Sequence, residues 1–371
     1  MAAGTFLFVK FIFVLYFLLP NLLFAAETST YKWSGDFRLR GQSEETLLEE
    51  YRVSEKLRLR FGLKVQIQPD LKAEIRLATA KSNTSTNQTI GDNKEPGFAR
   101  RSIGVDLGYV SWQGLPFLRF DAGKIPQVHF RPGGSQVLLD SDLSLEGIDF
   151  VSEYSVRDWL DLFASTGSTW IRENYDSYYS TELTDNMLNW AQVGLKFRSG
   201  KWSTQIGLGF FNFTSLQGAK FADVSIGGAA RGNTDDGSLN YKNNFVPKQF
   251  FLDSKFKTAG INWNFFLEHI VNDQTRDPNK AFWVGFSASS SLLSGQISYG
   301  SVQSDSVPGI FTDSDFAAGN TNSKGVVLTS SWKFKSGMSL AISQYINRRR
   351  ATSGLNDTHY NRTHLDLNAS F

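Results

Sequence analysis

From Arg362 to Phe371 the chain places Thr363, Leu365, Leu367, Ala369 and Phe371 at every second position, with His364, Asp366, Asn368 and Ser370 between them. An extended strand with this period has one apolar and one polar face. The length and alternation are those of a strand that crosses a bilayer at a tilt, with lipid on one side and a lumen on the other. About sixteen such segments are expected, over residues 31–42, 53–68, 71–80, 101–113, 116–124, 143–154, 158–166, 189–199, 201–213, 247–257, 260–270, 281–291, 294–304, 323–335, 338–349 and 361–371; fourteen and eighteen are the neighbouring counts.

The links between segments alternate in length. Short ones fall at Pro69-Asp70, Gly114-Leu115, Ser155-Val156-Arg157, Gly200, Thr258-Ala259, Leu292-Leu293 and Ser336-Gly337, and long polar ones at 81–100, 125–142, 167–188, 214–246 and 305–322. Past the first residues, no apolar run approaches the roughly 18–20 residues of a membrane-crossing helix. Strands in lipid must close on themselves, because an open edge leaves backbone groups unpaired. The expectation is one all-β domain, a membrane-spanning antiparallel β-barrel with short periplasmic turns and long extracellular loops. An even strand number puts both termini on the periplasmic side.

The N-terminal stretch reads as a secretory signal peptide over residues 1–26: Lys10, an apolar run from Phe11 to Leu19, then small residues at Ala25 and Ala26. The barrel domain then spans 27–371. Bulky Phe24 leaves an uncleaved anchor as the alternative. The chain holds no cysteine, which excludes thiol lipidation and any need for disulfides. With 38 basic and 36 acidic residues the formal charge is +2, which argues against a nucleic-acid partner. Aromatic residues Tyr31, Trp33, Trp112, Phe117, Trp159, Trp202, Trp332, Phe334 and Phe371 fall at segment ends beside the short links, where a girdle at the headgroup level is expected.

The inward faces hold charge. Lys32, Asp36, Arg38 and Arg40 alternate with Trp33, Phe37 and Leu39; Lys56, Arg58, Arg60 and Lys64 alternate with Leu57, Leu59, Phe61 and Leu63; Lys72, Glu74 and Arg76 alternate with Leu71, Ala73 and Ile75. Such a basic row is costly in a dry core and tolerable in water. A water-filled interior, which sixteen strands are wide enough to leave, is therefore expected.

Residues 57–150, with LRLRFGLK, EIRLATA, STNQTIGD, IGVDLGYVSW, AGKIP and LLDSDLSLEG, resemble the N-terminal part of a bacterial "putative porin" family. The resemblance implies a single outer-membrane barrel acting as a porin, and no substrate or catalytic residue comes with it. The terminal aromatic, Phe371, resembles the signal that Gram-negative outer-membrane proteins show to their assembly machinery. Porins in general fold the third long loop into the lumen. Here the third outward-facing loop, counting the link between the first two segments, is about residues 124–143, whose Val128, Phe130, Val137 and Leu138 point to packing. Asp140, Asp142 and Glu146 would then face Arg38, Arg40, Arg58, Arg60 and Arg76 across the pore. The competing reading is that these carboxylates only solvate an exposed loop.

Two other classes remain to be set against a pore. A barrel lipase or protease would need a Ser-His or Asp-His arrangement, and His129, His269, His359 and His364 stand in no nucleophile motif. An adhesion or binding barrel would use the loop from Thr214 to Val246. Asp235, Asp236, Asp313 and Asp315 are too few ligands for calcium. The sequence reading is a channel for passive diffusion of small hydrophilic solutes and ions, weakly anion-selective, with no cofactor. Its expected partners are outer-membrane lipid and lipopolysaccharide, the β-barrel assembly machinery and, in a homotrimer, two further copies.

Overall fold

A computed structural model describes residues 30–46, 51–80, 85–92, 97–98, 100–174, 184–224, 229–349 and 358–371. The expected signal peptide and its cleavage site lie outside the described residues. The strands are β1 (Thr30–Thr46), β2 (Arg52–Gln68), β3 (Leu71–Thr79), β4 (Gln88–Thr89), β5 (Ile103–Leu115), β6 (Leu118–Ile125), β7 (Leu145–Arg157), β8 (Leu160–Arg172) and β9 (Asn186–Ser199). They continue as β10 (Trp202–Phe213), β11 (Pro247–Thr258), β12 (Ile261–Asn272), β13 (Lys280–Ser289), β14 (Leu293–Val302), β15 (Ser323–Lys335), β16 (Met338–Arg349) and β17 (Thr358–Ser370).

Strand β4 is a two-residue patch paired with Lys56 and Leu57. The other sixteen form one antiparallel sheet in which β1 pairs with both β2 and β17, so the sheet has no free edge. Closure satisfies the backbone that lipid cannot. At the seam the Phe371 amide donates to the Gly35 carbonyl at 3.1 Å, and the Gly35 amide donates back at 3.2 Å.

Seven tight turns join strand pairs at one end, and the longer loops lie at the other. The turn between Thr258 and Ile261 shows how composition fixes geometry. Its two central residues, Ala259 and Gly260, have φ of 47° and 76°. Positive φ at both positions gives the hairpin turn whose twist matches the flanking strands.

Alternation along each strand separates two surfaces. On the outside, Phe37, Leu39, Leu208, Phe265, Ile342, Ile346 and Leu365 are exposed, as a lipid-facing band requires. Tyr31, Trp33, Phe117, Trp159, Trp202, Trp332, Phe334 and Phe371 are exposed beside the tight turns. Several pack against one another: Trp33 on Phe61 at 5.1 Å and Trp202 on Phe256 at 4.7 Å across neighbouring strands, and Trp332 on Phe334 at 5.4 Å along β15.

Inside, the two halves differ. Strands β1–β3 and β17 present charge, whereas β9–β14 present Trp190, Phe211, Phe251, Phe266, Ile270 and Trp283. Those rings would be wet in an empty barrel. The loop between β6 and β7 covers them with Val137, Leu138 and Leu139, each at most 5% exposed. Burying three such side chains contributes about 2 kcal/mol apiece.

Candidate functional site

The third loop is tied to the apolar wall by polar contacts as well. The Gln192 side chain acts as a strand partner: its oxygen accepts from the Phe130 amide at 2.6 Å and its nitrogen donates to the Phe130 carbonyl at 3.0 Å. Phe130 packs against Phe251 with its ring tilted and centroids 5.2 Å apart, and the Gly133 amide donates to Asp253 at 2.8 Å. Ser135 donates to Glu268. Gly133 is required here, since φ is 56° and a Cβ would overlap the Phe266 ring. His129, wedged against Phe211 at 5.6 Å, is fully buried, and burial together with nearby Arg131 holds its imidazole down to about 3.

The loop between β14 and β15 also enters the interior and joins the third loop edge to edge. The Asp140 amide donates to the Phe311 carbonyl at 2.6 Å, the Ser314 amide donates to the Asp140 carboxylate at 2.9 Å, and the Asp313 amide donates to the Gln136 carbonyl at 3.1 Å. From this composite shelf Asp315 reaches the opposite wall. It accepts from Arg362 at 2.7 Å and from Arg40 at 3.3 Å, with His364 at 3.7 Å.

The expected basic wall is present but compensated. Asp36 takes Arg58 at 2.8 Å and Arg60 at 2.6 Å; Asp366 takes Arg40 at 2.7 Å and lies 3.9 Å from Arg38. Glu74 takes Lys64 at 3.1 Å, Asp106 takes Arg76 at 2.6 Å, and Glu44 takes Arg362 at 3.0 Å. Lys72 is exposed on the same face, opposite Gln66 and Ser111. The row read as positive is therefore corrected to a ladder of alternating sign, because carboxylates on neighbouring strands fall at the same heights.

The acidic residues divide. Asp140 is spent on the loop–loop junction. Asp142 has its amide on Asp140 at 2.9 Å. Its carboxyl is pushed up by burial, against the pull of Arg58, Arg38 and Arg40. Glu146 does not belong to the shelf. It sits on β7, on the outward face with Phe150 and Tyr154, and holds Lys124 at 2.6 Å. Asp315, read from sequence as part of an exposed loop, is the carboxylate that meets the arginines. Its spacing from Asp313 carries no signal of an inward turn. Arg362 and Asp366 were legible by parity with His364.

The histidines are dispersed: His269 and His359 face outward, and His364 is buried with its Nε2 3.2 Å from the Gln42 side chain. Beneath the third loop a cavity of about 350 Å3 remains, lined by Arg131, Glu153, Phe163, Ser165, Gln192 and Gln205 among others.

Comparison with solved structures places the fold. Salmonella typhi OmpF, described in complex with daunomycin, aligns with a TM-score of 0.54 at 12% identity, covering 92% of this chain and 97% of its own. Pseudomonas putida OprB aligns with a TM-score of 0.58 at 10% identity, covering 92% and 94%. The trimer form of Vibrio cholerae OmpT aligns with a TM-score of 0.51 at 9% identity, covering 93% and 100%. At such identities these likenesses establish architecture alone. No curated protein matches the sequence. The family model described as "Putative porin" matches residues 42–244 and 293–371. With that match over most of its length and a closed sixteen-strand barrel beneath it, the chain belongs to this porin family and is a protein of the outer membrane.

Proposed function

We propose that the barrel is a water-filled channel for passive diffusion of small hydrophilic solutes and ions, and that it performs no catalysis. The observation that carries this reading is the charged face of β1, β2, β3 and β17, met across the interior by Asp315 and Asp142 on two inward-folded loops. Opposed charges at a narrow point create a transverse field that orders dipolar solutes and disfavours apolar ones. Arg38, Arg40, Arg58, Arg60, Lys64, Lys72 and Arg76 line the solute path in this reading, together with Lys56 and Arg362 on the same inward faces. Their excess over the interleaved carboxylates gives a weak anion preference.

The assembly follows the outer-membrane pattern. Phe371, exposed at the seam, serves as the signal for the assembly machinery, and three copies associate through their outer faces; a trimer form is described for OmpT.

Replacing Arg58 and Arg60 together with glutamine tests the selectivity. Asp36 would lose both partners, so reversal potentials in a salt gradient should move toward cation preference. Unchanged reversal potentials in a folded double variant would put both arginines outside the solute path.

A further inference from the structure

The outer surface carries a second charged feature, at the end of the barrel opposite the tight turns. Lys324 on β15 stands in register with Arg348 on β16, and Arg348 with His359 on β17. All three are exposed and share parity with the lipid-facing Leu328, Ile346 and Leu365. Three adjacent strands at about 4.8 Å spacing make a row about 10 Å long.

Its height follows from the register. Trp332, Leu340 and Leu367 form the corresponding row at the girdle, eight positions along β15 from Lys324. Eight residues span about 27 Å along a strand, or roughly 20 Å of height at the usual tilt, which places the basic row at the far headgroup level.

Like charges directly opposite each other weaken a strand pair. Elsewhere on the outer rim basic residues have carboxylate partners: Lys124 holds Glu146 at 2.6 Å and Lys248 holds Asp273 at 2.5 Å. Among the described residues Lys324 and Arg348 have no carboxylate partner. Glu45 also faces outward, but it stands opposite Asn361 on β1, three strands from Lys324.

We infer that the Lys324–Arg348–His359 row docks a phosphate of an outer-leaflet glycolipid, with the acyl chains lying on the apolar band formed by Val326, Leu328, Ile342 and Ile346 below it. The anion available at that height, above lipid-facing apolar side chains, is a headgroup phosphate. Directly opposed residues have Cβ atoms about 5 Å apart, so both long side chains can reach the oxygens of one phosphate, and the continuous apolar surface beneath favours a lipid over the free ion.

The test compares the refolded full barrel with a Lys324→Gln/Arg348→Gln variant and with a Lys124→Gln/Lys248→Gln control of equal charge change. Each is titrated in detergent with bis-phosphorylated lipid A, with its dephosphorylated form and with inorganic phosphate. The row variant should lose about tenfold or more in affinity for the phosphorylated lipid. Without lipid it should melt no lower than the parent, since the like-charge pair is gone. The control should bind as the parent does. Equal losses in both variants, or equal binding of the dephosphorylated lipid, would overturn the proposal. So would millimolar inorganic phosphate displacing the lipid, which would mark a free-anion site.

Discussion

The carboxylate of Asp315 accepts from Arg362 and Arg40, two inward residues on the strands that close the barrel. Asp315→Asn should therefore free the loop between β14 and β15 from that wall. Removing one member of a mostly buried ion pair costs about 3 kcal/mol. Larger single-channel steps and a stronger anion preference should accompany the loss; unaltered steps would mean that the contact does not bound the path. Burial raises this carboxyl, but His364, Arg362, Arg40 and Lys56 more than reverse the effect and hold it at about 2. A depressed carboxyl stabilises the fold above the ordinary carboxylate range and loses that contribution only as pH falls through about 2. Asp140 is raised by burial and by Asp142, and Asp142 is raised by burial. Asp313 beside them is lifted well above its ordinary value by burial, Asp315 and Asp140, so these three shelf carboxyls lose charge before Asp315 on acidification, and their raised positions mean that protonation does not loosen the shelf. Between pH 7 and 4 the reversal potential should drift toward anions at constant step size, and a drift toward cations would refute the assignment of charges.

At the level of elements, the inward loops hold by two kinds of contact, and each can be cut separately. Gln192→Ala removes both bonds to the Phe130 backbone while leaving the apolar packing of Val137, Leu138 and Leu139. Leaving buried backbone groups unpaired costs about 1–3 kcal/mol. Noisier, larger conductance steps are expected, and proteolysis within residues 126–144 should accelerate; a variant with parental noise would show that packing alone seats the loop. The strands themselves were readable because period-two alternation is local: the expected 323–335 and 338–349 coincide with β15 and β16. The seating of the third loop was half readable, from Val137 and Leu138 in a polar stretch. The loop bearing Asp315 was not, since nothing in TDSDFAAGN repeats, and its inward path depends on backbone bonds to the third loop. Asp36 and Asp366 were legible on the inward faces, but the heights at which they and Asp106 meet the arginines were hidden. Parity gives the face of a residue, whereas the height depends on register between strands far apart in sequence.

For the whole molecule, the decisive feature is asymmetry of the interior. One half is apolar and covered by loops, and the other is charged and faces them. That division locates the solute path along β1–β3 and β17, where Arg38 and Arg60 keep 21% and 24% of their side-chain surface exposed. The exterior, apolar between the tryptophan girdle and the basic row, fixes the barrel in its membrane. Conductance of the refolded chain from residue 27 to residue 371 in a planar bilayer under a salt gradient tests the central claim. Discrete steps with a small anion-directed reversal potential are predicted. A heat-modifiable, inserted barrel that gives no steps would contradict the account, showing that the two inward loops close the path.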